Sequence, residues 1–141
     1  MNLLDFNKRF PTEESCKLYL KAQREKQGIT CKRCSETKHY WMETMGLWKC
    51  AKCASWTNLT AGTLMHRSKV SLDKWFMCIH LMTSVKKSFS ALEMQKQLGH
   101  CAYAPIWYMM QKIRSAMGKR DGMYQLEGEI ELDDAFFEII R

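Results

Sequence analysis

The sequence predicts an α+β chain of small modules. These are a leading helix, a four-cysteine ribbon, a three-helix helix-turn-helix, and the first strand or strands of a further, truncated domain. Three observations predict this. Two Cys-x-x-Cys pairs stand fifteen residues apart, helix start and stop signals recur through residues 70–118, and beyond residue 120 the chain turns acidic and alternating.

The leading segment, residues 1–28, carries a helix start at Pro11-Thr12-Glu13-Glu14. Thr12 can cap, and the two glutamates meet the positive end of the helix dipole. Cys16, Tyr19, Leu20 and Gln23 recur at helical spacing and Gly28 is a natural stop, so a helix is expected over residues 13–26. Lys17, Lys21, Arg24 and Lys26 read as its solvated face.

Residues 29–64 form the ribbon. Cys31-Lys32-Arg33-Cys34 and Cys50-Ala51-Lys52-Cys53 make two knuckles that a hairpin can bring face to face, with four thiolates around one tetrahedral ion. Zn²⁺ suits such a shell, at ~2.3 Å per bond, and a site filled by four sulfurs leaves no position for water, so its role is structural. Two surface disulfides are the competing reading of the same cysteines. His39 is a conceivable rival ligand or else a surface histidine. The aromatic stretches His39–Met42 and Leu47–Cys50 flank a turn at Met45-Gly46, and a third strand is expected around Ser55–Thr60. A unit of ~35 residues buries too little apolar area to fold unaided, so metal supplies the missing free energy. Trp41, Trp48 and Trp56 either form the ribbon's small core or stack on bases.

After a polar, basic connector at residues 65–69, three helices are expected within 70–118. Ser71 starts the first, with Leu72, Trp75, Phe76, Ile79 and Met82 as its apolar stripe. Ser90-Ala91-Leu92-Glu93 is a capping box opening the second, and Gly99 closes it. Pro105 lies early in the third, whose buried side repeats Ile106, Met109, Met110, Ile113 and Met117. A short helix, a glycine-containing turn and a longer helix make a helix-turn-helix layout, whose last helix enters the DNA major groove. Gln111 and Arg114 are the side chains suited to base edges, and Lys112, Lys119 and Arg120 add charge. A three-helix spacer or dimer contact is the alternative.

Charge supports a polyanionic partner. Residues 1–120 hold 21 basic against 8 acidic residues, a net of +13, whereas residues 121–141 carry a net of −6. No apolar run approaches the ~20 residues of a membrane span, and Met1–Phe10 lacks the layout of a signal peptide. A cytoplasmic, nucleoid-associated protein without a membrane partner is therefore expected, and a homo-oligomer is left open. The cysteines outside the ribbon, Cys16, Cys78 and Cys101, are expected to behave as small buried hydrophobes. In the final segment, residues 124–141, Glu129-Ile130-Glu131-Leu132-Asp133-Asp134 alternates like a strand. Its carboxylates either face solvent or bind a hard cation such as Mg²⁺.

Together these pieces resemble the N-terminal part of a bacterial insertion-sequence transposase of the zinc-ribbon type. The resemblance rests on Phe10-Pro11-Thr12-Glu13-Glu14-Ser15-Cys16, the four ribbon cysteines, Trp107 with Ile113-Arg114-Ser115-Ala116-Met117, and Gly128-Glu129-Ile130-Glu131-Leu132-Asp133-Asp134. It implies double-stranded DNA as partner, the terminal inverted repeats as target, and a ribonuclease-H-like catalytic domain of the DDE class beginning at residue 124. Asp133 matches the family's first catalytic metal-binding aspartate, and Asp134 stands where a second acid is usual. Phe137-Glu138-Ile139 replaces the family's glycine pair. Several carboxylates are needed to clamp two metals, so the chain is expected to bind DNA without cutting it, with Mg²⁺ bound only in a full-length relative. A stand-alone zinc-ribbon regulator that binds DNA or RNA is the alternative.

Overall fold

The computed structural model describes residues 1–85 and 87–123. The acidic segment 124–141, with Asp133 and Asp134, lies outside the described residues. In order, the elements are α1 (Leu3–Arg9), α2 (Glu13–Gln27), β1 (His39–Met42), β2 (Leu47–Cys50), β3 (Trp56–Asn58), α3 (Leu72–Ser84), α4 (Ala91–Leu98) and α5 (Tyr103–Asp121). The strands form one antiparallel sheet in the order β1-β2-β3.

Local signals set most of these boundaries. Thr12 Oγ1 accepts the Ser15 N–H at 3.4 Å and Ser15 Oγ accepts the Thr12 N–H at 3.3 Å, a reciprocal cap that starts α2. Gly28 ends it at φ 80°, a conformation glycine adopts without strain. Ser90 and Glu93 form the expected capping box of α4. Gly99 closes that helix in the left-handed region, and Gln95 Nε2 then donates to the carbonyls of His100 and Cys101, holding the turn into α5.

One apolar core runs through the ribbon and the helices. It joins Ile29, Trp48 and Leu59 to Met65, Val70, Trp75, Met94, Ile106, Met109, Met110 and Ile113. Each fully buried side chain of this size contributes about 1.5–3 kcal/mol by leaving water. Among the described residues, no polar or charged residue is buried.

Several expectations change on contact with tertiary structure. A helix, α1, precedes the one expected in the leading segment: Asn2 caps it by accepting the Asp5 N–H at 2.8 Å, and Phe6 stacks on His80 of α3, centroids 4.5 Å apart. The polar, basic connector at 65–69 packs into the fold. Met65 and Val70 are buried, and Ser68 Oγ accepts the Trp75 indole N–H at 2.9 Å. Ser71 precedes α3 without a side-chain cap bond; instead Glu13 of α2 reaches across to accept the Leu72 N–H at 3.3 Å. Cys16 and Cys78 are buried as expected, but Cys101 is exposed because it sits in the turn before α5. Met117 is 39% exposed because the buried stripe of α5 ends at Ile113.

Candidate metal centre

The two knuckles repeat one backbone pattern. The Cys31 N–H donates to the Glu36 carbonyl and the Ser35 N–H to the Cys31 carbonyl, both at 2.9 Å. The Cys50 N–H donates to the Ser55 carbonyl at 2.9 Å and the Ala54 N–H to the Cys50 carbonyl at 3.2 Å. In each knuckle the residue after the second cysteine is left-handed, Ser35 at φ 59° and Ala54 at φ 56°. Left-handed non-glycine residues cost roughly 1–2 kcal/mol each, and here they turn both cysteine pairs toward one point.

At that point the four sulfurs lie within 4.8 Å of one another. Cys31 Sγ is 3.5 Å from Cys53 Sγ, and Cys34 Sγ is 3.5 Å from Cys50 Sγ. A regular tetrahedron of Zn–S bonds near 2.3 Å needs sulfurs about 3.8 Å apart. The donor set and its spacing therefore fit Zn²⁺.

The polar surroundings favour the thiolate at Cys31 and Cys53. Ser55 Oγ lies 3.0 Å from both Cys31 Sγ and Cys53 Sγ, and the Arg33 N–H donates to Cys31 Sγ at 3.4 Å. The Ser55 hydroxyl, followed by the backbone N–H groups of Cys34 and Arg33, draws the Cys31 thiol down to about 5. Cys53 is also lowered, first by the Ser55 side chain. Cys34 moves the other way, to about 12. The Glu36 N–H pulls it down, but burial and the neighbouring Cys53, Cys50 and Cys31 sulfurs outweigh that pull. Four sulfurs this close cannot all ionise without a cation among them, and a divalent ion removes the conflict.

Ser55 is a part of the site that the cysteine spacing does not announce. Its only sequence signal is its place two residues after Cys53, equivalent to Glu36 in the first knuckle. Glu36 uses its carboxylate differently, accepting the Thr37 and Lys38 N–H groups. His39 is not among the clustered ligand atoms; its Nδ1 lies 3.0 Å from the Thr37 carbonyl and its Nε2 is buried without a hydrogen-bond partner among the described residues.

The sheet separates the three tryptophans. Trp48 is 2% exposed beneath Arg24 of α2, whose guanidinium lies 5.2 Å from the indole centroid. The same guanidinium donates to the carbonyls of Asn58 at 3.1 Å and Leu59 at 2.8 Å, and burial lowers its pKa. Trp41 is half-buried, packed edge-on to Trp48 with Lys21 Nζ 4.8 Å above it. The face of α2 read as solvated thus covers the sheet with two of its cations. Trp56 points away from this core and is exposed.

On α5, Lys112, Lys119 and Arg120 are exposed and Gln111 is half-buried. Arg114 is exposed but tethered, with Nη2 donating to the Phe89 carbonyl at 3.2 Å. Tyr103, Trp107 and Tyr108 also lie exposed on this helix. Among the described residues no helix is long and apolar enough to cross a membrane.

No curated protein and no solved structure matches the chain. A family model does, that of the transposase zinc-ribbon domain, over residues 11–55, from the residue before the Thr12 cap to Ser55 beside the sulfurs. Residues 11–55 are therefore a zinc ribbon of the insertion-sequence transposase type, and Cys31, Cys34, Cys50 and Cys53 hold its structural Zn²⁺.

Proposed function

We propose that this chain is the DNA-binding portion of an insertion-sequence transposase and that it recognises the element's terminal inverted repeats as double-stranded DNA. The observation that carries this is the transposase-type ribbon at residues 11–55, joined through a shared core to a basic helical body. In this reading residues 70–118 act as a helix-turn-helix. The four-residue turn between α4 and α5 supports it, with left-handed Gly99 at its start. Between Tyr103 and Arg120, α5 has four cations and no acid, as a helix lying among phosphates requires. Gln111 would read a base edge, with Lys112, Lys119 and Arg120 on the backbone. Arg114 spends one of its five N–H donors on Phe89 and keeps the rest for DNA. Asp133 would serve as the first Mg²⁺ ligand of a ribonuclease-H-like domain starting near residue 124, and strand transfer would need further carboxylates.

The test is an electrophoretic mobility shift with the inverted repeat against a scrambled duplex, with and without a zinc chelator, at rising salt. Preference for the repeat, weaker binding after chelation as the core shared with the ribbon loosens, and a steep fall with salt are expected. Equal affinity for both duplexes would overturn the reading.

A further inference from the structure

We infer that the outer face of the three-stranded sheet is a binding site for an unpaired DNA strand, which stacks its bases on Tyr40 and Trp56. This deepens the DNA-binding reading above and rests on it.

The register makes the argument. Tyr40 pairs with Lys49, and Lys49 pairs with Trp56, so the three side chains form one row across β1, β2 and β3. Directly paired residues share a face of the sheet, and this is the face turned away from α2. The opposite row, Trp41, Trp48 and Thr57, is the one that Lys21 and Arg24 cover. Tyr40 is 56% exposed and Trp56 53%, and among the described residues neither ring has an aromatic or cationic partner. With strands ~4.8 Å apart the two rings stand about 10 Å from each other, with Lys49 rooted on the strand between them. Ring, cation, ring is the complement of base, phosphate, base.

The rest of the face agrees. The Ala51 N–H donates to the Lys38 carbonyl at 3.0 Å, which continues the ladder and puts Lys38 on the same side as Tyr40. The face therefore carries Lys38, Tyr40, Met42, Leu47, Lys49, Trp56 and Asn58, with two cations and no carboxylate.

Charge also indicates which form of DNA it takes. Residues 29–64 hold five basic and two acidic residues, a net of +3. A zinc tetrathiolate adds two negative charges, leaving the ribbon almost neutral. A ribbon with so little net charge, and only Lys38 and Lys49 on this face, is a poor clamp for the phosphates of a duplex. Its affinity must come from stacking, and exposed base faces belong to unpaired strands.

The test measures fluorescence anisotropy of a labelled twelve-residue oligothymidine and of the duplex inverted repeat, using the full chain with zinc bound. Tyr40→Ala and Trp56→Ala are each expected to weaken the single strand about five-fold or more and to leave the duplex unchanged. Tyr40→Phe and Trp56→Phe should retain single-strand binding, and every variant should keep its zinc, which separates loss of stacking from loss of the ribbon. The inference is overturned if the wild-type chain ignores the single strand or the alanine variants bind it as well as wild type. It is equally overturned if these variants merely break a dimer in sedimentation while single-strand affinity stays constant. Duplex binding without single-strand binding would leave the inverted-repeat reading standing alone; the reverse would leave the sheet site and remove that reading.

Discussion

The ribbon and the helical body solve the same problem with different materials. In the helical body Trp75, Cys78, Met94, Ile106, Met109 and Met110 are shielded almost completely from solvent by one another. The ribbon has one comparable residue, Trp48, and at its other end four sulfurs stand where apolar side chains would otherwise be required. One half is held by volume, the other by a point. A volume tolerates the loss of one contributor; a point does not.

The largest effect should come from Cys50→Ser. A structural zinc site is worth ~10–16 kcal/mol in domains of this size. Zinc stoichiometry should collapse and the near-ultraviolet dichroism of Trp41 and Trp48 should disappear, while the far-ultraviolet helical signal largely persists. Complete loss of helix would break the contrast and show that both halves fold as one unit. Next, Met94→Ala should lower the stability of the helical body by about 2–5 kcal/mol in urea and leave zinc bound. If zinc escaped as well, the two halves could not be ranked separately.

Arg24→Ala sharpens the contrast at the seam. It removes a charged donor from two carbonyls and uncovers Trp48, at a cost of about 2 kcal/mol read from the same urea titration. Zinc should also leave faster in a chelator competition. An unchanged rate would mean that the guanidinium is merely solvated.

The smallest effect concerns Glu93. The Ser90 N–H first, and Lys87 next, hold its carboxyl below the usual carboxylate range. A depressed folded pKa gives stability that is present above the unfolded value of ~4.3 and fades as pH falls through the folded one. The urea midpoints of wild type and Glu93→Gln should differ at neutral pH and converge in acid. A gap independent of pH would sink this assignment.

What could be read from the chain follows the range of each interaction. The four cysteines, Thr12, Gly28, Ser90, Glu93 and Gly99 act within a few residues of themselves, so spacing alone reveals them. Arg24 was indistinguishable from Lys17 in sequence, since its partners are carbonyls at Asn58 and Leu59, beyond the whole ribbon. Glu13 likewise reads as an ordinary first-turn acid of α2, yet it also serves α3. The same holds for Trp56: three tryptophans in one ribbon look alike until strand register assigns two to one face and the third to the other. Asn2 and Asp5 carry a local signal for α1, but a weak one, because the helix has only seven residues and depends on Phe6 meeting His80.

The double attachment of α2 has one more consequence. Glu13 pins its beginning to α3 and Arg24 pins its end to the edge of the sheet, so this helix works as the bar of a caliper whose jaws are β1–β3 and, through α3, α5. A caliper measures. If both jaws touch the same nucleic acid, the distance from the duplex segment to the neighbouring open segment is dictated by the protein, and inserting or deleting nucleotides between them should be felt as sharply as changing their identity.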